Sequence, residues 1–425
     1  MKVTNSSEKI NPFGGINFVL EQYRNLGLPS LINRSLDNRG KGHEYEYSDI
    51  FFAMWSAFYC GGDCAEDINT HFGDYLRGIP GFKVPSADVI LAGQKELAAF
   101  RQFSISKSGI MHDVDINEPM SSLLLKVQKK LGLLKNDVGY TLDFDHQLLP
   151  CEKKDSTMSY KMIEGYFPGV CIINGMPVYI ENRSGHSNVK YLQEETLERA
   201  FTLFREEGIT IAKSRMDCGS YSRKIIEVVE ANCQTFYIRA QKCEGMETLI
   251  KQITKWQRRK IGKKFYEVAS IEYFPFGQND KGYRLVITRE PNKNGQMDLF
   301  TQDAMIYRGI LTNDWKSQEK TIIEFYNARG AAERVFDIMN NDFGWNKLPF
   351  SRMEENTVYL IMTAMCRSFY KYLVEKLARK QWFLANIRIK KFIFSFITVA
   401  SKWVFRSRTK ILKIYSEKPY QLAFG

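Results

Sequence analysis

The chain contains 425 residues, of which 44% are hydrophobic and 25% are charged, and this globular composition and length favour two or three domains over one. Lys and Arg number 60 against 48 Asp and Glu, and the net charge of +12 favours a polyanionic partner, nucleic acid before a membrane surface. No apolar segment suits a membrane-spanning helix or a signal peptide, so we expect a cytoplasmic protein.

The first part of the chain has helical periodicity. From about residue 16 to 135, apolar residues recur at spacings of three and four, and Ser86 stands where it would cap a helix. These features predict an all-helical N-terminal domain over residues 1–135. Segments 61–72 and 84–97 suit a helix-turn-helix that binds DNA, and ordinary helical packing is the alternative interpretation.

Between residues 136 and 240 the apolar period changes to two. Residues 140–145 read as one strand, and residues 169–182 read as two strands joined by Asn174-Gly175, a dipeptide typical of tight hairpins. A charged helix, a strand, a second helix and a last strand follow. The predicted order β-β-β-α-β-α-β is that of an α/β catalytic core with an RNase H-like mixed sheet.

Carboxylates stand where strands of this predicted sheet end. Asp145 closes the first strand and Asp217 closes the fourth, and adjacent strands would bring both to one edge of the sheet, where ligands gather. Asp143 and Asp145 share a strand face, and either of them could be the first metal ligand. We prefer Asp145, because it lies nearer the end of the strand.

A third carboxylate, Glu333, lies on a segment that predicts an unbroken helix over residues 324–343. Tyr326 and Arg329 lie on the same side of this helix at offsets of three and four. Three carboxylates are the hard oxygen ligands that two Mg²⁺ ions require, while a guanidinium and a hydroxyl suit a phosphate. The helix would complete the core over residues 321–370, after a β-rich insertion over residues 241–320.

At these positions the sequence resembles the DDE transposases of bacterial insertion sequences. In one group of that family, Tyr, Arg, Glu and Lys are separated by two, three and six residues, and Tyr326, Arg329 and Glu333 match the first three. The resemblance covers about residues 45–370. The expected Lys is replaced by Asn340, so any phosphate contact that this Lys makes in the family is weakened here or taken over by Arg334 or Lys347.

The resemblance implies cut-and-paste transposition, with metal-dependent DNA cleavage at the ends of the element and strand transfer into target DNA. Asp145, Asp217 and Glu333 would be catalytic and would bind two Mg²⁺ ions, with Mn²⁺ as a substitute. Tyr326 and Arg329 would position phosphates. The expected partner is double-stranded DNA, both terminal inverted repeats and target, bound by a homodimer near the bacterial nucleoid and without a membrane.

Basic segments outside these motifs are further candidates for DNA binding. Residues 251–265 combine a central Trp with many cations and no acid, and residues 371–425 predict a basic helical C-terminal region. A solvated charge run is the alternative for the first segment, and an ordinary amphipathic helix is the alternative for the second. The candidate DNA-binding residues are Trp256, Arg258, Arg259, Lys260, Lys263 and Lys264 in the first segment and Lys390, Lys391, Arg406 and Arg408 in the second.

Two other functions remain open at the level of sequence. A regulator of transposase origin would bind DNA without cutting it, and a metal-dependent nuclease would cut DNA without joining it. The nuclease would use the same three acids, so only a strand-transfer assay separates it from a transposase.

Overall fold

The protein is described here as a computed structural model, covering residues 1–5, 7–40, 42–277, 279–292, 295, 297 and 303–424. Helices α1 to α13 are, in order, Ile16–Asn25, Leu28–Ser35, Tyr47–Cys60, Gly73–Arg77, Ala87–Lys95, Glu118–Lys130, Gln193–Glu206, Arg223–Asn232, Glu244–Gln252, Glu319–Asn327, Ala331–Asp342, Met353–Arg379 and Ile389–Phe392. None of the described helices is long and apolar enough to cross a membrane.

Strands β1 to β16 are, in order, Gln102–Ile105, Met111–Asp115, Gly139–His146, Leu149–Pro150, Thr157–Met158, Glu164–Tyr166, Gly169–Ile173, Met176–Arg183, Thr210–Met216, Thr235–Arg239, Gln257–Ile261, Lys264–Tyr273, Tyr283–Pro291, Met305–Thr312, Ser401–Arg406 and Thr409–Ile414. In the described part of the chain, eleven of them form one mixed sheet in the order β1-β2-β8-β7-β3-β9-β10-β14-β13-β12-β11. Strand β9 runs parallel to its neighbours β3 and β10.

The predicted order of strands and helices in the core is confirmed. Strands β3, β7 and β8 are followed by α7, β9, α8 and β10, and the hairpin between β7 and β8 turns at Asn174 and Gly175, whose φ angles are 52° and 73°. Positive φ at both positions is the turn geometry that an Asn-Gly dipeptide favours. The short strands β4 to β6, which were not predicted, lie between β3 and β7 in the chain and form a separate small sheet.

Helices cover both faces of the central sheet. On β7, Val170 and Ile172 belong to one buried apolar cluster, while Cys171 and Ile173 belong to another. The first cluster includes the long helix α12, which also packs on β8 and α6, and the second includes α7 and α8. Burial on both faces explains why this strand is a continuous apolar run rather than an alternating one.

The prediction of an all-helical N-terminal region is wrong. The region contains helices α1 to α6, with Ser86 capping α5 through Val89, but β1 and β2 extend the edge of the central sheet beside β8. Residues 102–115 alternate apolar and polar side chains around a Gly-containing turn, which favours a hairpin over a helix. Helix α5 packs against α3 and α12, as in ordinary helical packing.

The described part of residues 241–320 contains four strands, but these do not form a separate sheet. Strand β14 pairs with β10 of the core, so β11 to β14 continue the central sheet to its other edge. An unpaired β10 would expose a row of backbone donors and acceptors, and this extension satisfies them.

The prediction of a helical C-terminal region is wrong for residues 401–414, which form the two-stranded hairpin β15–β16. Apolar side chains recur there with a period of two, including Trp403 and Phe405, and aromatic residues favour strands. The turn is formed by Ser407 and Arg408, which both have positive φ angles.

The prediction of an unbroken helix over residues 324–343 is also wrong. Helix α10 ends at Asn327, a 3₁₀ turn covers Ala328–Gly330, and α11 begins at Ala331. Asn and Gly are poor residues for a helix interior, which accounts for a break at this point. Tyr326 lies before the break and Glu333 after it, so the offsets of a continuous helix do not describe their positions.

Candidate active site

The three predicted acids line one cavity of 770 Å³. Asp145 is the penultimate residue of β3, Asp217 directly follows β9, and Glu333 lies in the first turn of α11. Phe144 pairs with Met216 across the two parallel strands, so the acids that follow these residues leave the sheet side by side. The topology thus brings together carboxylates that are far apart in sequence.

Backbone hydrogen bonds hold one oxygen of each aspartate. Asp145 Oδ1 accepts a hydrogen bond from the backbone N–H of His146 at 2.9 Å. Asp217 Oδ1 accepts one from Gly219 at 2.9 Å and caps the short 3₁₀ turn Cys218–Ser220. Each carboxylate is therefore oriented by its own chain segment, while its second oxygen is available to other partners.

Arg329 supplies a cation at the first acid. Its Nη1 lies 2.9 Å from Asp145 Oδ2, and both side chains are mostly buried. Burial raises the pKa of Asp145 above its ordinary value, Arg329 opposes this shift, and the neighbouring Asp217 carboxylate adds to it. Two neighbouring carboxylates therefore favour a nearby positive charge, and at Asp145 the guanidinium of Arg329 supplies it.

The donor set fits hard divalent cations, because it consists of carboxylate oxygens. The ligand oxygens of the three acids do not all lie within 4.8 Å of one another, and within the described residues Asp63, Cys64 and Asp67 are the one group of three that does. Glu333 is exposed at its site on α11.

The second candidate for the first ligand, Asp143, has a different environment. Both of its oxygens contact Arg215 at 2.7 Å, and Arg215 Nη1 donates to the backbone carbonyl of Phe325 at 2.7 Å. Asp143 does not line the acid cavity. It ties β3 to β9 and, through Arg215, to α10, and the sequence reading did not single out Arg215.

A comparison with protein families decides the identity of the chain. The family described as "Transposase DDE domain group 1" matches residues 1–425. The chain belongs to this family. As a DDE transposase it acts on DNA by phosphodiester cleavage and strand transfer, and members of the family generally use divalent metal ions.

The other comparisons add little to this assignment. No curated protein matches the transposase. Among solved structures, it is similar to a chain of the piggyBac transposase synaptic complex with hairpin DNA, solved by cryo-EM, with a TM-score of 0.46 and 12% sequence identity over 90% of this chain and 76% of that chain.

Tyr326 of the transposase lies in the core rather than in the cavity. Its side chain is 4% exposed, its hydroxyl donates to the backbone carbonyl of Met216 at 3.1 Å, and the guanidinium of Arg239 lies 4.6 Å from its ring centroid. Because Met216 directly precedes Asp217, this hydrogen bond fixes α10 against the strand end that carries the second acid.

Asn340 lines the same cavity as the acids, and its Oδ1 is buried without a hydrogen-bond partner in the described structure. The two cations considered as replacements for the missing Lys lie elsewhere. Arg334 is exposed and does not line the cavity, and Lys347 forms an ion pair with Asp63.

We expect Asn340→Lys to keep the cleavage rate or raise it modestly, because the new ammonium would stand in an acidic cavity that faces phosphate. The change removes no hydrogen bond made by the amide oxygen. Initial rates of cleavage of DNA carrying the ends of the element would measure this effect. A large loss of rate would mean that the cavity uses the amide of Asn340 itself.

The first basic segment forms the far edge of the central sheet. Arg258, Arg259 and Lys260 are exposed on β11, and Lys263 and Lys264 lie at the turn into β12. Trp256 is half-buried: its Nε1 donates to the carbonyl of Ile253 at 3.1 Å, and Arg289 lies 4.1 Å from its ring centroid. None of these residues lines the acid cavity.

The candidates near the C-terminus occupy two elements. Lys390 and Lys391 are exposed on α13, and Lys390 lines a second cavity of 540 Å³ together with Asn340 and Lys347. Arg406 ends β15 and Arg408 lies in the hairpin turn, and both are exposed.

Replacing Lys390, Lys391, Arg406 and Arg408 together by Gln is expected to weaken DNA binding broadly and to flatten its salt dependence. Each lost phosphate contact removes about 0.9 from the slope of log affinity against log salt concentration. Binding isotherms at several salt concentrations measure this slope, and Lys107→Gln, on the exposed β1–β2 turn, is the control. An unchanged slope would rule out this role.

Proposed function

We propose that this DDE transposase moves a bacterial insertion sequence by cut-and-paste transposition, with two Mg²⁺ ions held by Asp145, Asp217 and Glu333. The observation that carries the proposal is the presence of these three carboxylates on the walls of one cavity, with Arg329 on Asp145. Bound divalent ions would supply Lewis acidity to the attacking and leaving oxygens of a phosphodiester.

The side chains around the cavity have different roles in binding metal and phosphate. Asp145 and Asp217, each oriented through Oδ1 by a backbone N–H, present their second oxygens as ligands. Arg329 neutralises Asp145, and its guanidinium would be available to a phosphate oxygen if Asp145 served as the ligand of a divalent cation. The hydrogen bond from Tyr326 to the carbonyl of Met216 holds α10 against the end of β9, next to Asp217.

The proposed partners are the terminal inverted repeats of the element and the target DNA. The net charge of +12 and the exposed cations of β11, α13 and the β15–β16 turn support a long contact with a polyanion. Because an element has two ends to cut, we propose a homodimer in the DNA complex. We propose that the protein acts in the cytoplasm of a bacterium, at the nucleoid.

The proposed function is tested with purified transposase and DNA that carries the flanking inverted repeats of its own gene. We expect Mg²⁺-dependent cleavage at the ends, cleavage in Mn²⁺ as well, and joining of the released 3′ ends to a plasmid. Cleavage without joining would indicate a nuclease, and binding without cleavage would indicate a regulator.

A further inference from the structure

One turn on the rim of the acid cavity has no role in the account above. Strands β5 and β6 are joined by residues 159–163, and three of these residues, Tyr160, Lys161 and Ile163, line the same cavity as the three acids. The turn is closed by backbone hydrogen bonds, from Ser159 N–H to the carbonyl of Ile163 at 2.9 Å and from Met162 N–H to the carbonyl of Ser159 at 3.0 Å. We call residues 159–163 the rim turn.

The rim turn is held firmly on the core. A Cβ atom on Gly165 of β6 would collide with the carbonyl oxygen of Leu149, so the strands approach as closely as backbones allow. The next residue, Tyr166, is fully buried and its hydroxyl donates to Asp155, which also forms an ion pair with Arg101 at 2.6 Å. These contacts of β6 hold the rim turn in one position relative to the core.

The tip of the rim turn exposes apolar groups in an unfavourable conformation. Tyr160 is 71% exposed and Met162 is 79% exposed. Met162 has a φ angle of 57°, at the position of a three-residue hairpin turn where Gly is favoured. Neither the exposure nor the left-handed backbone benefits the isolated chain, and both suit a surface that contacts another molecule.

The charges that line the cavity indicate what kind of molecule the rim turn would contact. The walls of the cavity carry the carboxylates of Asp145, Asp217, Glu333 and Asp337. Lys161 is the one Lys or Arg among the lining residues, all of which belong to the described part of the chain.

Aromatic rings connect the rim turn to the first acid. The Tyr160 ring lies 6.2 Å from that of Phe167, which stacks on the His146 ring at 5.1 Å, and His146 directly follows Asp145. Arg183, fully buried, fixes the imidazole through a contact of 2.9 Å between Nη1 and Nε2. A row of rings thus runs from the exposed tip to the acids, and the exposed Tyr160 ring at its outer end offers a face on which a nucleobase can stack.

We propose that the rim turn holds the DNA strand at the phosphate to be cut, with the Lys161 ammonium on a phosphate oxygen and the Tyr160 ring stacked on an adjacent base. This inference rests on the proposed function and adds two DNA-contacting residues to its site. The cation compensates the repulsion between cavity carboxylates and the strand, and the ring fixes the strand's register.

The test uses DNA carrying an end of the element, with 2-aminopurine placed in turn at each base beside the cleaved phosphodiester. Binding is measured in Ca²⁺, and cleavage is then measured in Mg²⁺. We expect the fluorescence at one position to change on binding to the wild type and to Tyr160→Phe, which keeps the ring. Tyr160→Leu should abolish that change and weaken DNA binding about tenfold.

Lys161→Gln tests the cation, and Lys107→Gln is its matched control, because Lys107 is also exposed at a hairpin turn but does not line the cavity. Lys161→Gln should lower the salt-dependence slope by about 0.9 and slow cleavage, while Lys107→Gln should do neither. If the wild type cuts DNA but Tyr160→Leu and Lys161→Gln match it in every measurement, the inference fails and the proposed function stands. If the wild type does not cut, both fail.

Discussion

Replacing Asp145, Asp217 or Glu333 is expected to abolish Mg²⁺-dependent cleavage. Asp145→Asn, Asp217→Asn and Glu333→Gln should each lower the rate by at least about 10³-fold, because carboxylates that share metal ions act as a unit. For the same reason, double variants should be scarcely slower than single ones. Single-turnover cleavage of end DNA measures these rates.

DNA binding is the control for this loss. Each replacement removes a negative charge from a cavity that faces phosphate, so affinity without metal should hold or increase. The metal-free variants should therefore bind end DNA at least as tightly as the wild type does. If a variant still cuts at the wild-type rate, the carboxylate that it replaces does not belong to the proposed site.

Asp143→Asn is expected to have the opposite profile, with a large loss of stability and retained cleavage. Asp143 and Arg215 are about nine-tenths buried, and their two contacts of 2.7 Å form a bidentate pair. Removing one partner of a buried pair leaves an uncompensated charge, which costs about 3–5 kcal/mol of unfolding free energy. Urea unfolding measures this cost, and cleavage is assayed below the unfolding transition.

A double-mutant cycle provides the control for that prediction. Asp143→Asn combined with Arg215→Gln removes both charges, so its loss of stability should be clearly smaller than the sum of the two single losses. Additive losses would show that the pair is not coupled. Loss of cleavage by a folded Asp143→Asn protein would instead place Asp143 in the metal site.

The core of the fold could be predicted because its signals are local. A period of two, the Asn174-Gly175 turn and alternating helices specify the order from β3 to β10. Parallel pairing of β3 with β9 then places Asp145 and Asp217 together without any knowledge of side-chain contacts. The order of elements comes from these short patterns, and the adjacency of β3 and β9 comes from the RNase H-like arrangement that this order matches.

Other features depend on contacts that no local pattern shows. Asp143 and Asp145 share a strand face, and only the position of Arg215 on the neighbouring strand distinguishes their environments. The break at Ala328–Gly330 changes where Glu333 stands, and although an Asn and a Gly mark it locally, the helical periodicity around it concealed it. Strands β5 and β6, of two and three residues, are too short for a periodic signal, so the rim turn was missed.

The joining reaction is the most direct test of the central claim, that the cavity of Asp145, Asp217 and Glu333 is the active site of a transposase. End DNA with a labelled 3′ strand is incubated with the protein, Mg²⁺ and a target plasmid, and the covalent transfer of label to the plasmid is measured. We predict transfer by the wild type and by folded Asp143→Asn, and none by Asp217→Asn. Transfer by Asp217→Asn at the wild-type rate would contradict the claim.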